Sequence, residues 1–184
     1  MTISTYLESL KNKKVAVIGI GVSNIPLIRL LCDAGISVTA CDKKERAALG
    51  AIADELEAMG CRFRLGEGYL DGLCEDVIFR TPGLHPKYLE NAKKSGSVIT
   101  SEMEVFFDVC PCPIIAVTGS DGKTTTTTMI AGLLRASGKT VHLGGNIGRP
   151  LLADVNTIKD TDWAVVELSS FQLMTMQKSP QKQS

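Results

Sequence analysis

The sequence predicts an α/β protein built on parallel sheets, and three observations carry that prediction. Apolar strand-like runs alternate with helical patterns through roughly the first hundred residues. Two strands, one in each half of the chain, end in glycine turns that open a helix, at Gly19–Ser23 and at Gly119–Thr125. Between them Cys110-Pro-Cys-Pro113 interrupts any regular element, because two prolines flanking a cysteine cannot continue a helix. A domain junction is therefore expected between about Thr100 and Pro113, giving one domain over 1–101 and a second over 102–184.

The stretch Lys13-Lys-Val-Ala-Val-Ile-Gly-Ile-Gly-Val-Ser-Asn24 begins with a short apolar strand, turns at Gly19 and Gly21 and enters a helix expected to run to about Asp33, with Gly35 as its stop. The next strand, Ile36 to Cys41, ends in Asp42, 21 residues beyond Gly21. An acidic group there meets a ribose in a mononucleotide-binding βαβ unit, so a Rossmann-like domain is expected. Asn24 stands where the third glycine or alanine of the dinucleotide pattern belongs. That leaves NAD and other nucleotides, nucleotide sugars among them, as alternatives.

One amphipathic helix is expected over Lys44–Met59, ending at Gly60, followed by strands at Arg62–Leu65 and Asp76–Arg80. The second of these runs into Thr81-Pro-Gly-Leu-His-Pro86. A strand end followed by Pro and Gly lies at the carboxyl edge of a parallel sheet, where open α/β folds bind ligands. His85 in this loop is either a ligand contact or a solvated loop residue. A helix over Pro86–Ser95, a strand over Gly96–Thr100 and a Ser101-x-x-Glu104 capping box opening a helix through Phe107 complete the half.

The second half opens with Ile114-Ile-Ala-Val-Thr-Gly-Ser-Asp-Gly-Lys-Thr-Thr-Thr126, a buried apolar run that breaks into a glycine loop, a lysine and hydroxyls. Gly119 and Gly122 let the backbone approach an anion, and successive N–H groups with the positive end of the following helix make a phosphate site. Lys123 is placed to reach the terminal phosphates of a nucleoside triphosphate, and the Thr124 hydroxyl to ligate its Mg²⁺. Five residues before Gly122 stands Val117, where the usual P-loop has glycine. The helix is expected to run to about Ser137, despite five consecutive threonines that are poor helix formers.

A strand over Lys139–Leu143 leads to Gly144-Gly-Asn-Ile-Gly148, where Asn146 either approaches a ligand or sits in a structural turn. Trp163–Glu167 is an apolar strand ending in a carboxylate. Beside a phosphate-loop strand, such an acid holds Mg²⁺; without the loop it would be an ordinary strand end. Lys178–Ser184 is polar and aperiodic.

Of the 184 residues, 44% are hydrophobic and 22% charged, as in an ordinary soluble globular protein, and no apolar run approaches the roughly 20 residues that span a bilayer. Lys+Arg and Asp+Glu are both 20, so no basic footprint points to nucleic acid or a membrane surface. The six cysteines are scattered in apolar or strand-like contexts, and the amino terminus has no signal-peptide pattern. A reducing cytoplasm is expected, with Cys110 and Cys112 structural or incidental.

At Ala116-Val-Thr-Gly-Ser-Asp-Gly-Lys-Thr-Thr125 the sequence resembles the Mur ligase family, whose central ATPase domain carries Thr-Gly-Thr/Ser-x-Gly-Lys-Ser/Thr in place of the full P-loop. Gly144–Gly148, Glu167-Leu-Ser-Ser-Phe-Gln-Leu173, Gly19–Ser23 and Thr81–Gly83 extend the likeness over nearly the whole chain. The resemblance implies an ATP- and Mg²⁺-dependent ligase that joins D-glutamate to UDP-N-acetylmuramoyl-L-alanine in peptidoglycan precursor synthesis. In that reaction the substrate carboxylate attacks the γ-phosphate, and the amine then displaces phosphate from the acyl phosphate.

The resemblance further implies ATP binding by Gly119, Ser120, Asp121, Gly122, Lys123, Thr124 and Thr125. Lys123 and Glu167 are then catalytic, and Thr124 and Glu167 ligate the metal. Substrate would be bound by Gly21, Val22, Ser23, Asp42, Thr81, Pro82, Gly83, Asn146, Ser169 and Gln172. A monomer acting on small molecules is expected, with no nucleic-acid or membrane partner. The family pattern continues to a metal-binding histidine, a carbamylated lysine and a third domain, none of which fits before Ser184. The expectation is therefore the first part of the ATPase domain only, in an N-terminal piece with little ligase activity of its own. A related Mur or folylpolyglutamate-type ligase and a non-catalytic nucleotide-sugar-binding module remain alternatives.

Overall fold

A computed structural model describes residues 1–176. The expectation of a polar, aperiodic stretch at Lys178–Ser184 lies outside the described residues. The chain divides into two compact units, Ser4–Glu102 and Met103–Ser184, the latter joined by Met1–Ile3.

After a short helix α1 (Ile3–Glu8), the unit Ser4–Glu102 alternates β1 (Lys14–Ile18), α2 (Ile25–Asp33), β2 (Ser37–Asp42), α3 (Arg46–Leu49), α4 (Ala51–Ala58), β3 (Arg62–Leu65), β4 (Val77–Phe79), α5 (Glu90–Lys94) and β5 (Val98–Thr100). The strands form one sheet in the order β3-β2-β1-β4-β5, with every pairing parallel. Val15 to Ile18 of β1 are all buried, as a central strand covered on both faces requires. Leu27, Ile28 and Leu31 of α2 are buried as well. Because β1 has β2 on one side and β4 on the other, the chain reverses direction across the sheet there. That switch point opens a crevice at the carboxyl ends of the strands.

Two expected helices differ in the structure. The run expected over Lys44–Met59 breaks into α3 and α4 at Gly50, whose φ of +56° leaves the right-handed helical region. The run from Pro86 begins as a 3₁₀ turn, Pro86–Leu89, before α5.

The second unit holds α6 (Glu102–Val109, begun in the other unit), β6 (Ile114–Val117), α7 (Lys123–Ala136), β7 (Val141–Gly145), a 3₁₀ turn at Leu152–Thr157, β8 (Trp163–Glu167) and α8 (Ser170–Thr175). Helix α6 runs to Val109, two residues past the expected Phe107. Its sheet is parallel in the order β6-β8-β7. The register sets Glu167 beside both Val117 and Gly145, so the ends of all three strands meet. Strand β7 extends beyond the expected Leu143 through Gly144 and Gly145. A Cβ on Gly144 would strike Leu151 and the Arg149 carbonyl, and one on Gly145 the Glu167 carbonyl. Only glycine lets β7 and its turn lie this close to β8.

Candidate functional site

In the unit Ser4–Glu102 a cavity of about 350 Å³ opens at the carboxyl ends of β1, β2 and β4. Of the residues expected to bind substrate here, Gly21, Val22, Ser23, Asp42, Thr81 and Gly83 line it; Pro82 lies in the same turn but is not part of its wall. The turn after β1 is exposed at Gly21, Val22 and Ser23. A Cβ on Gly19, which has a φ of +93°, would stand 3.3 Å from Thr81 Cβ. Helix α2 opens toward this turn with Pro26 in its first positions, where a missing N–H is harmless.

Asp42 lines the cavity with both carboxylate oxygens already engaged by backbone. One carboxylate oxygen accepts the Ile20 N–H at 2.6 Å and the other the Lys44 N–H at 2.9 Å, with the residue only 8% exposed. Its first task is to fix the two turns that form the wall. Asn24, expected only as a misfit to the dinucleotide pattern, is buried, and its Nδ2 donates to the Ile18 and Gly19 carbonyls at 2.9 and 3.1 Å. A side-chain amide here fastens the turn where a third glycine would only allow it.

Sequence reasoning missed Tyr69, Lys43, Lys44 and Leu84 on this wall. Desolvation, then the neighbouring Asp42, raises the Tyr69 phenol above its ordinary pKa. The available signal was an aromatic residue between Gly66 and Gly72, directly after a strand that ends beside Asp42. His85 serves its own loop, its Nδ1 accepting the Lys87 N–H at 3.2 Å.

In the other unit the loop after β6 uses Gly119 at φ +152° and Gly122 at φ +72°, and Gly122 caps α7. Lys123 Nζ donates to the Gly119 and Ser120 carbonyls at 2.8 and 3.0 Å, so the lysine lies across its own loop. Ser120, Asp121 and Thr125 are exposed along it. Thr127 is fully buried, with its hydroxyl on the Lys123 carbonyl at 2.7 Å, so this threonine serves the helix.

Three of the expected residues converge at the strand ends. Thr124 Oγ1 donates to Glu167 Oε2 at 2.7 Å, and Asn146 Nδ2 lies 3.3 Å from Glu167 Oε1. The Asn146 N–H also donates to the Glu167 carbonyl at 2.8 Å, which fixes the glycine turn against β8. Glu167 is 2% exposed. Hydroxyl, carboxylate and amide oxygens are hard donors of the kind Mg²⁺ prefers. Among the described residues no three His, Cys, Asp or Glu gather into a metal cage. So sparse a protein donor set fits a cation shared with nucleotide phosphates.

Ser169 and Gln172, the remaining expected contacts, bond each other in a capping box at the start of α8. The Ser169 N–H donates to Gln172 Oε1 at 2.8 Å, and the Gln172 N–H to Ser169 Oγ at 3.2 Å. Both therefore have a helix-starting duty that the sequence reading did not assign them.

Parallel sheets, a switch-point cavity and a glycine-lysine-threonine loop define a two-unit α/β protein of the phosphate-loop class. Residues 117–181 match the Mur ligase middle domain. The chain is 52% identical over 182 residues to the UDP-N-acetylmuramoylalanine--D-glutamate ligase of Acetivibrio thermocellus, covering 97% of this chain and 39% of that protein. It is 49% identical over 180 residues to the protein of the same name from Clostridium novyi, covering 96% of this chain and 39% of that protein. Among solved structures, the UDP-N-acetylmuramate:L-alanyl-gamma-D-glutamyl-meso-diaminopimelate ligase from Neisseria meningitides aligns at a TM-score of 0.48 and 23% identity, over 84% of this chain and 52% of that one. The chain is thus similar to these ligases along nearly its whole length, and to the Mur ligase middle domain in residues 117–181. It spans about two-fifths of the length of the curated relatives it matches. Among the described residues no helix is long and apolar enough to cross a membrane.

Proposed function

We propose that this chain belongs to an ATP-dependent amide ligase that adds D-glutamate to UDP-N-acetylmuramoyl-L-alanine, a step of peptidoglycan precursor synthesis in the cytoplasm. The observation that carries the reading is the meeting of Thr124 and Asn146 on the buried Glu167 carboxylate, beside the glycine loop across which Lys123 lies. The relatives' names supply the substrates, and identity across both units supports applying them here.

In this reading Gly119–Gly122 and the start of α7 receive the nucleotide phosphates through backbone N–H groups. Lys123 leaves the Gly119 and Ser120 carbonyls and follows the charge of the transferring phosphoryl group. Thr124 and Glu167 hold Mg²⁺, which supplies neutralisation of phosphate charge when bound. Thr125, Ser120 and Asp121 border the nucleotide. The uridine diphosphate end of the substrate enters the cavity of the other unit, against Gly21–Ser23, Thr81–Gly83 and the wall that Asp42 fixes. Asn146, Ser169 and Gln172 lie nearest the reacting end. The protein works as a monomer on these small molecules.

Calorimetric titration of the folded chain with UDP-N-acetylmuramoyl-L-alanine, UMP and NAD tests the first assignment, and Mg²⁺-dependent ATP binding tests the second. Binding of the uridine compounds without NAD is expected. NAD binding, or a folded chain that ignores both uridine compounds, would refute the assignment of the first cavity.

A further inference from the structure

We propose that Cys110 and Cys112 form a reversible intrachain disulfide, a redox modification site in the unit Met103–Ser184 that is independent of the ligase reading. Their sulfurs lie 3.6 Å apart, with the Cys110 thiol turned back toward the Cys112 carbonyl at 3.7 Å. A disulfide has an S–S length of about 2.05 Å, so a modest closing rotation suffices. Pro111 lies between them and fixes its own φ, so the chain holds the two thiols near each other before any bond forms. The pair occupies the link between α6 and β6, outside both elements, with the Cys110 N–H bonded to the Phe106 carbonyl of α6 at 2.9 Å. These are the only two cysteines of that unit, and the proposed chemistry uses neither.

The alternative is that two small apolar side chains happen to be packed together, at 2% and 4% exposure. Burial, followed by the neighbouring Cys110, pushes the Cys112 thiol up to about 12. With a hydroperoxide as oxidant, the Cys110 thiolate attacks the peroxide oxygen. The O–O bond breaks, the alcohol or water leaves, and Cys110 becomes a sulfenic acid. The Cys112 sulfur, giving up its proton, then attacks the Cys110 sulfur, the S–S bond forms and water departs. Two thiols lose two electrons and two protons, and one peroxide is reduced. A small dithiol reverses the bond by exchange. The site lies at the amino end of β6, a four-residue strand of about 13 Å, and the phosphate loop follows its carboxyl end.

The test treats the folded full chain with hydrogen peroxide, alkylates all remaining thiols after denaturation, and maps the tryptic peptide Ser95–Lys123, which holds these two cysteines and no others. The expected result is a peptide lighter by two hydrogen atoms, carrying no alkyl group, that gains two alkyl groups if a dithiol precedes alkylation. Exposed Cys74 is the internal control for oxidant access. If Ser95–Lys123 keeps two alkylated thiols at doses that oxidise Cys74, or if Cys110 is found joined to another cysteine, the proposal fails. A dimedone trap on Cys112→Ser sharpens the order of events: a sulfenic acid captured at Cys110 supports it, and a folded variant with none captured overturns it.

Discussion

At the carboxyl edge of the five-stranded sheet, Asp42 and Asn24 direct their polar atoms to backbone, on Ile20, Lys44, Ile18 and Gly19. At the same edge of the three-stranded sheet, Thr124 and Asn146 direct theirs to the side chain of Glu167. The first arrangement makes a cavity whose polar side chains hold its shape. The second makes a charged cluster that keeps a carboxylate buried and oriented. Polar residues that look equally ligand-like in sequence thus divide into those that build a wall and those that present chemistry. Substitutions separate the two, because a wall residue changes stability and affinity together, whereas a presenting residue changes ion dependence more than folding.

The largest expected effect belongs to Gly145→Ala, where a φ of +95° and the Glu167 carbonyl both oppose a Cβ. The loss should be about 3 kcal/mol of unfolding free energy in urea titration. A stable Gly145→Ala protein would mean that β7 does not press on β8 as described. Asp42→Ala comes next, at about 2 kcal/mol, because it removes two charge-assisted bonds and leaves the Ile20 N–H without its acceptor. Uridine affinity should fall with it. If affinity falls while stability is unchanged, Asp42 is a direct ligand contact and the wall reading is wrong.

Glu167→Gln should lower stability by about 1 kcal/mol, since an amide cannot accept on both sides. Its main mark should be that ATP affinity no longer responds to Mg²⁺, read by titration with and without the ion. A Glu167→Gln chain with an undiminished Mg²⁺ response would remove the carboxylate from the metal site. The smallest effect is on pH. The hydrogen bond from His142 at 2.9 Å, followed by the Lys159 N–H, holds the Asp162 carboxyl below its usual value. A group depressed by folding stabilises the protein above its unfolded value, about 3.9, and that contribution disappears as pH falls through the lower folded value. Acid titration of stability should therefore flatten at its low end in Asp162→Asn, and an unchanged curve would show the pair to be idle.

Much of the fold was legible because its signals are local. Buried runs such as Val15–Ile18 and Trp163–Glu167 declare strands, and glycines after them declare turns. The misses were also local competitions. Gly50 breaks a helix that apolar spacing alone would continue, and the glycines after Leu143 belong to a strand because β8 lies against them. At the sites, the motif singled out Thr124 and Glu167, whose side chains the structure sets 2.7 Å apart. Tyr69 and Lys43 were not legible, since nothing in their own spacing shows which cavity they border.

The sequence by itself determined the alternation of strand and helix, the two glycine turns, the glycine-lysine-threonine loop and the family they resemble. These follow from steric limits and periodicity within a few residues, which any chain carrying them must obey. Tertiary structure alone decided what each polar group does. Asp42 and Glu167 both end strands, yet one meets backbone N–H groups and the other a hydroxyl and an amide, from Thr124 and Asn146. A hydrogen bond depends on which atoms the fold brings within about 3 Å, and that distance is set by packing between segments far apart in the chain.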